Sequence, residues 1–127
     1  MASELSDTPS MIIEARAVHK SFKLGEHVIQ ALRGVDLRVA SREFLAISGT
    51  SGSGKSTLLN LLGCLDQPSS GSIHFEGTDV SGLDEKSLAA LRAQKIGFVF
   101  QTFNLLPVLT ALENVEYPLL KLKMTAK

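Results

Sequence analysis

A chain of 127 residues with a 44% apolar share has the size of one domain and enough apolar surface to bury a core. Its 13 basic residues are matched by 13 acidic ones, which removes any global pull toward nucleic acid or an anionic membrane surface, so no nucleic-acid partner is expected. Cys64 is the only cysteine: no internal disulfide can form, and the chain reads as a reduced, intracellular protein in which Cys64 is a small buried apolar residue.

Residues 1–10 are polar and acidic, lack the apolar stretch of an export signal, and read as a floppy tail. No apolar run approaches the ~20 residues that span a bilayer. From Ile12 to His19 apolar and polar residues alternate, with Ile13, Ala15 and Ala17 on one face, which predicts a half-buried strand. Lys23–His27 is a polar turn around Gly25. Val28–Val39 alternates again, and Ala40–Glu43 forms the next turn. These elements make an antiparallel N-terminal portion.

Phe44–Ser48 is a continuous apolar run, the pattern of a strand covered on both faces. It feeds into Gly49-Thr-Ser-Gly-Ser-Gly-Lys-Ser-Thr57. Leu58, Leu59, Leu61, Leu62 and Leu65 then recur at helical spacing, and Asp66–Gly71, with Pro68 and Gly71, stops that helix. A short strand is predicted at Ser72–Glu76, a turn at Gly77–Gly82, and a helix at Asp84–Gln94 with Asp84 as its N-cap. Ile96–Phe100 is a second buried-type strand, beside Phe44–Ser48. A loop at Thr102–Leu109 leads to a capping box, Thr110-Ala-Leu-Glu113, opening a helix that Pro118 would kink or end. Together these elements predict an α/β fold with a parallel core sheet.

Gly49-x-x-x-x-Gly54-Lys55-Ser56 fits the phosphate-binding P-loop pattern at every position, between an apolar strand and an apolar-periodic helix. Glycines at 49, 52 and 54 let the main chain wrap a polyanion. The backbone N–H groups from Gly49 to Thr57, those of Ser51 and Ser53 included, then form an anion nest at a helix start. Lys55 supplies a mobile charge for the β- and γ-phosphates, the Ser56 hydroxyl suits Mg²⁺, and Thr57 can donate to the α-phosphate. The ligand these residues imply is Mg·ATP.

Other features carry less. Gly52-Ser-Gly54-Lys-Ser-Thr57 lacks the third glycine of a dinucleotide fingerprint. Asp79-Val-Ser-Gly82 matches the bare Asp-x-x-Gly of GTPases but follows a polar turn, and reads as a chance match. Gln101, at the end of the second buried-type strand, could reach a γ-phosphate, Mg²⁺ or the attacking water, or be an ordinary surface residue. Phe22 has a π-face able to stack on a base, or is core packing. His19, His27 and His74 show no ligand spacing.

The chain resembles the ATP-binding subunit of an ABC transporter. The resemblance rests on Lys20-Ser-Phe22, Ala31–Leu37, Gly49–Asn60, Gly63–Asp66, Pro68–Gly71, Gly97–Gln101, Asn104–Pro107 and Thr110–Val115, and so covers nearly everything from Ile12 onward. The wording of Leu62–Asp66 and Gln101–Leu120 is most similar to the lipoprotein-release and macrolide-export branch. The resemblance implies an ABC-type P-loop NTPase fold with Phe22 as the shelf under adenine, where many relatives carry Tyr. It implies Gly49–Thr57 as the Walker A loop, with Lys55 catalytic, and Gln101 as the Q-loop glutamine coupling γ-phosphate and Mg²⁺ to a membrane partner.

It further implies a homodimer of ATP-binding subunits and transmembrane permease subunits docked near the segment after Gln101, with the chain peripheral on the cytoplasmic face of the membrane. The family's Leu-Ser-Gly-Gly-Gln signature, Walker B acid and switch histidine do not occur in residues 1–127. Residues 11–127 are therefore expected to be the N-terminal half of a nucleotide-binding domain, an incomplete domain whose helical subdomain opens at about 102. On its own such a piece would bind nucleotide weakly and hydrolyse essentially none. The competing readings are a non-catalytic nucleotide-binding or interaction fragment, and another P-loop NTPase such as a GTPase or kinase.

Overall fold

A computed structural model describes residues 10–125, with side chains to Leu120. The expected tail lies outside the described residues except for Ser10, whose carbonyl accepts from the Ser41 N–H at 2.8 Å. The chain falls into two compact units divided between Leu83 and Asp84.

The first unit is built on a four-stranded antiparallel sheet of order β2-β1-β3-β4. Its strands are β1 (Met11–Leu24), β2 (His27–Ala40), β3 (Ser70–Phe75) and β4 (Thr78–Asp79). The alternating sequences of β1 and β2 pair antiparallel as expected, but the ladder runs on through Lys23, Leu24 and His27, so the turn expected at Lys23–His27 narrows to Gly25 and Glu26. The inward set differs from the sequence pattern in one respect. Ala17 was expected to face in, but it sits at φ 47 in a bulge, and Val18 takes the buried position instead. The extra residue shifts register against both β2 and β3. The Asp36 carboxylate holds the bulge by accepting from the Ala17 N–H at 2.8 Å. Gly71 (φ +85) lies so close to the bulge that a side-chain carbon there would overlap the Ala17 carbonyl.

Helix α1 (Lys55–Leu62) lies against β1 and β2 and buries Leu58, Leu61 and Leu62. Leu59 and Leu65, expected on the same stripe, are exposed. The helix ends before Asp66–Gly71. The Cys64 N–H bonds the Leu61 carbonyl and the Leu65 N–H reaches back to Asn60, a Schellman closure with Cys64 at φ 57. Cys64 is buried, as its apolar reading anticipated, as are Val18, Ile73 and Phe75. Each mid-sized side chain of this core contributes on the order of 2 kcal/mol.

The two expected parallel strands are not formed. Residues 44–48 and 96–100 make no ladder with any described segment, and Phe44 and Val99 are exposed at 96% and 102%. An apolar run favours a covered strand, but strand pairing needs a neighbour to take its N–H and C=O groups. In the second unit α2 (Glu85–Lys95) starts at Asp84, whose carboxylate accepts from the Ser87 N–H at 3.1 Å, and buries Leu88. Helix α3 (Ala111–Thr125) opens with the capping box, Thr110 and Glu113 exchanging side-chain-to-backbone bonds of 2.7 and 3.3 Å. Pro118 does not end it; the helix continues to Thr125.

One charged clasp joins β1 to the turn after α1. Lys20 Nζ donates to Asp66 Oδ1 and to the Gln67 carbonyl, each at 2.7 Å, with the lysine side chain only 13% exposed. Burial alone would raise the Asp66 pKa. The hydrogen bonds from Lys20 and the Gln67 N–H, with the lysine charge, outweigh it and hold the carboxyl below its usual 3.8. A depressed carboxylate stabilises the folded state above its unfolded-state value and loses that contribution as pH falls through the folded-state value. Asp66→Asn is therefore expected to flatten the acid side of the melting-temperature profile between about pH 5 and pH 2. An acid limb identical to wild type would show that the clasp carries no linkage.

A candidate phosphate-binding loop against the first hairpin

The loop between Phe44–Ser48 and α1 takes its shape from three features. A turn closes from the Ser53 N–H to the Thr50 carbonyl at 3.2 Å, with Gly52 at φ +78 in the third position where a type II turn needs it. Gly54 caps the helix at φ 93 and has no side chain to bond the first turn. The first α-helical bond runs from the Leu58 N–H to the Gly54 carbonyl at 2.8 Å.

The N–H groups ahead of Leu58 in the first turn, those of Lys55, Ser56 and Thr57, have no intrahelical acceptor, and no acidic residue stands in that turn to take them. The partial positive charge of the helix start is thus left for an external anion.

Gly54 is also where the helix start meets the hairpin. A carbon at its Cβ position would stand 2.7 Å from the Ala31 carbonyl oxygen and 2.9 Å from Leu32 Cδ2. Only glycine allows both the left-handed backbone and this approach. The contact brings Ile29, Gln30 and Ala31 of β2 beside Ser51, Gly52, Gly54, Lys55, Ser56 and Thr57, around a concavity of about 320 Å³. Sequence patterning missed these β2 residues; alternation identifies the strand without showing which stretch faces the loop.

Lys55 closes the loop on itself. Its Nζ donates to the Gly49 carbonyl at 2.7 Å and the Thr50 carbonyl at 2.6 Å, and lies 3.3 Å from Ser53 Oγ. The ammonium thus gathers the loop that precedes the helix start. A triphosphate fits this donor set: backbone N–H groups, one cation, and hydroxyls at Ser51, Ser56 and Thr57 on the concavity wall. Mg²⁺ fits as well, because it prefers oxygen ligands, keeps several waters and takes phosphate oxygens, and the Ser56 hydroxyl is one such ligand on the concavity wall. Among the described residues no group of three or more His, Cys, Asp or Glu is placed to hold a metal by itself.

The remaining candidates separate. Phe22 is 43% exposed and pairs across the ladder with Ile29, so it stands at the rim of the concavity without lining it. Gln101 belongs to the second unit; its side chain is exposed, and the strand it was expected to end is not formed. Asp79 accepts from the Ser81 N–H at 2.9 Å, and the Ser81 hydroxyl accepts from the Ile73 N–H at 2.7 Å. The Asp-x-x-Gly match at Asp79 is thus explained by hairpin closure.

The family model described as ABC transporter matches residues 32–127. The chain belongs to that family. It is 55% identical over 111 residues to the macrolide export ATP-binding/permease protein of Marinobacter nauticus, 87% of this chain and 17% of that protein. It is 51% identical over 111 residues to the lipoprotein-releasing system ATP-binding protein of Hahella chejuensis, 87% of this chain and 48% of that one.

Among solved structures, the Methanocaldococcus jannaschii ATP-binding cassette, a dimer in a post-hydrolysis state bound to ADP and Pi, superposes with a TM-score of 0.82 at 50% identity. That match covers 86% of this chain and 47% of the cassette chain. This ABC chain thus has part of the α/β P-loop ATPase fold of the family and spans about half the length, or less, of these relatives. No helix among the described residues is long and apolar enough to cross a membrane.

Gly54→Ala is expected to cost at least about 2 kcal/mol, since it combines an unfavourable left-handed backbone with overlap on Ala31. Gly52→Ala, whose added carbon meets nothing within 4 Å, is expected to cost only about 1 kcal/mol. Equal shifts of the urea midpoint at the two positions would remove the Ala31 contact as the limiting constraint.

Proposed function

We propose that this chain is the nucleotide-holding part of an ABC transporter ATPase of the lipoprotein-release and macrolide-export type. In this reading the main-chain N–H groups from Gly49 to Thr57, including those of Ser51, Gly52, Ser53 and Gly54, cradle the phosphates of ATP, the Ser53 N–H exchanging its Thr50 carbonyl for a phosphate oxygen. Lys55 leaves the Gly49 and Thr50 carbonyls for the β- and γ-phosphates. Ser56 takes one position on Mg²⁺, which when bound neutralises developing phosphate charge. Thr57 donates to the α-phosphate and Phe22 offers its ring to the base.

Gln101 is the second metal- and γ-phosphate-sensing group of the reading, and the segment from about 102 opens the helical subdomain that meets a permease. The working unit is a pair of such subunits on the cytoplasmic face of a membrane. Hydrolysis draws on a general base and a partner's signature motif in addition to the residues of 1–127.

The observation that carries the reading is a helix start with unpaired N–H donors, no acidic residue and one loop-bound lysine, facing a concavity large enough for a triphosphate. Lys55→Ala is the direct test. Charge-assisted hydrogen bonds contribute about 1.5–3 kcal/mol each, so the variant should weaken Mg·ATP binding at least about tenfold by calorimetry. Affinity equal to wild type would end the assignment. Preference for ATP over GTP in the same titration separates the transporter reading from a GTPase.

A further inference from the structure

Phe22 does not stand alone at the rim. Lys20, two residues earlier on β1 and therefore on the same face, places its Nζ 5.2 Å from the Phe22 ring centroid. That is within the reach of a cation–π contact, which extends to about 6 Å. The same ammonium is fixed from behind by Asp66 Oδ1 and the Gln67 carbonyl, both at 2.7 Å, in the turn that follows α1. Asp66 is itself tethered, its Oδ1 accepting from the Gln67 N–H at 2.7 Å. A chain of contacts therefore runs from the end of the P-loop helix, through Asp66 and Lys20, to the Phe22 ring. Across the ladder from Phe22 lies Ile29, which lines the phosphate concavity.

We propose that Lys20 is a positioning residue for the nucleotide base. It occupies one face of the Phe22 ring and fixes the ring's tilt, leaving the other face as the stacking surface for a purine whose phosphates lie on the loop. Helix α1 would then register both ends of one ligand: its first turn the triphosphate, and the turn after it, through Lys20, the base. The inference rests on the nucleotide reading above and adds to it the residue that orients the shelf.

The test compares two ligands that share phosphates and differ in the base. Calorimetric dissociation constants for Mg·ATP and for magnesium tripolyphosphate are measured on the wild-type chain, on Lys20→Met and on Lys20→Arg. If Lys20 orients the shelf, Lys20→Met lowers the preference for ATP over tripolyphosphate by roughly three- to tenfold while tripolyphosphate affinity stays put. Lys20→Arg, which keeps both the charge and the ring contact, restores the preference.

An unchanged preference in Lys20→Met, or a parallel loss of both ligands, overturns the proposal, because a merely structural lysine acts on both alike. Should Lys20→Met fail to fold, Asp66→Asn is read by the same ratio with the same two outcomes, since it frees the ammonium while preserving side-chain shape. Failure of the wild-type chain to bind tripolyphosphate would instead overturn the phosphate-loop reading itself.

Discussion

The site depends on one close approach: the start of α1 lies against the backbone of β2 at a point where only glycine fits. With the Ala31 carbonyl and Leu32 Cδ2 both under 3 Å from where a Cβ of Gly54 would be, the helix cannot be capped by a side chain there. Serine, threonine, asparagine and aspartate are the usual caps, and each would satisfy the first-turn N–H groups from within. The contact therefore fixes where the helix begins and also prevents the protein from using its own donors. What remains is a set of oriented N–H groups held against a strand, with the hairpin supplying the opposite wall.

Lys55 shows how such a site stays ordered. An array of N–H groups and a nearby lysine would repel one another unless the ammonium were held by acceptors on the other side of the loop. By donating to the Gly49 and Thr50 carbonyls, the ammonium is held off the helix start and draws the loop into a closed ring. On the proposed reading, binding a triphosphate would exchange two carbonyl acceptors for charged phosphate oxygens. Only the difference between these bonds appears as affinity, which is why the lysine's net contribution is smaller than a count of its phosphate contacts would imply. In return, little loop entropy remains to be lost.

Much of this was legible before any coordinates, because the P-loop pattern states a backbone shape as well as a composition: Gly52 and Gly54 both adopt positive φ, and α1 starts at Lys55. The first hairpin was legible from alternation, and the capping box at Thr110–Glu113 from its spacing. Less legible were features set by a few hydrogen bonds. The bulge at Ala17 follows from an Asp36 carboxylate 19 residues away, and it moved Val18 inward where strict alternation placed Ala17. The helix stop at Cys64 is a backbone closure with no glycine at the left-handed position, so no turn residue marked it.

The two apolar runs at 44–48 and 96–100 mark the limit of reading structure from composition. Phe-Leu-Ala-Ile and Ile-Gly-Phe-Val-Phe state that a segment gains by being covered; they do not supply what covers it. Within the second unit Phe98 and Phe100 satisfy part of that demand locally, stacking ring on ring at 5.5 Å and 9°. Such a contact stabilises by roughly 1 kcal/mol beyond area, against the larger transfer free energy of a fully buried aromatic ring. The phosphate loop escapes this dependence because its partner, β2, belongs to a hairpin that closes on itself through local hydrogen bonds. Site geometry set by such short-range partners is fixed even where the flanking apolar strand has found no ladder.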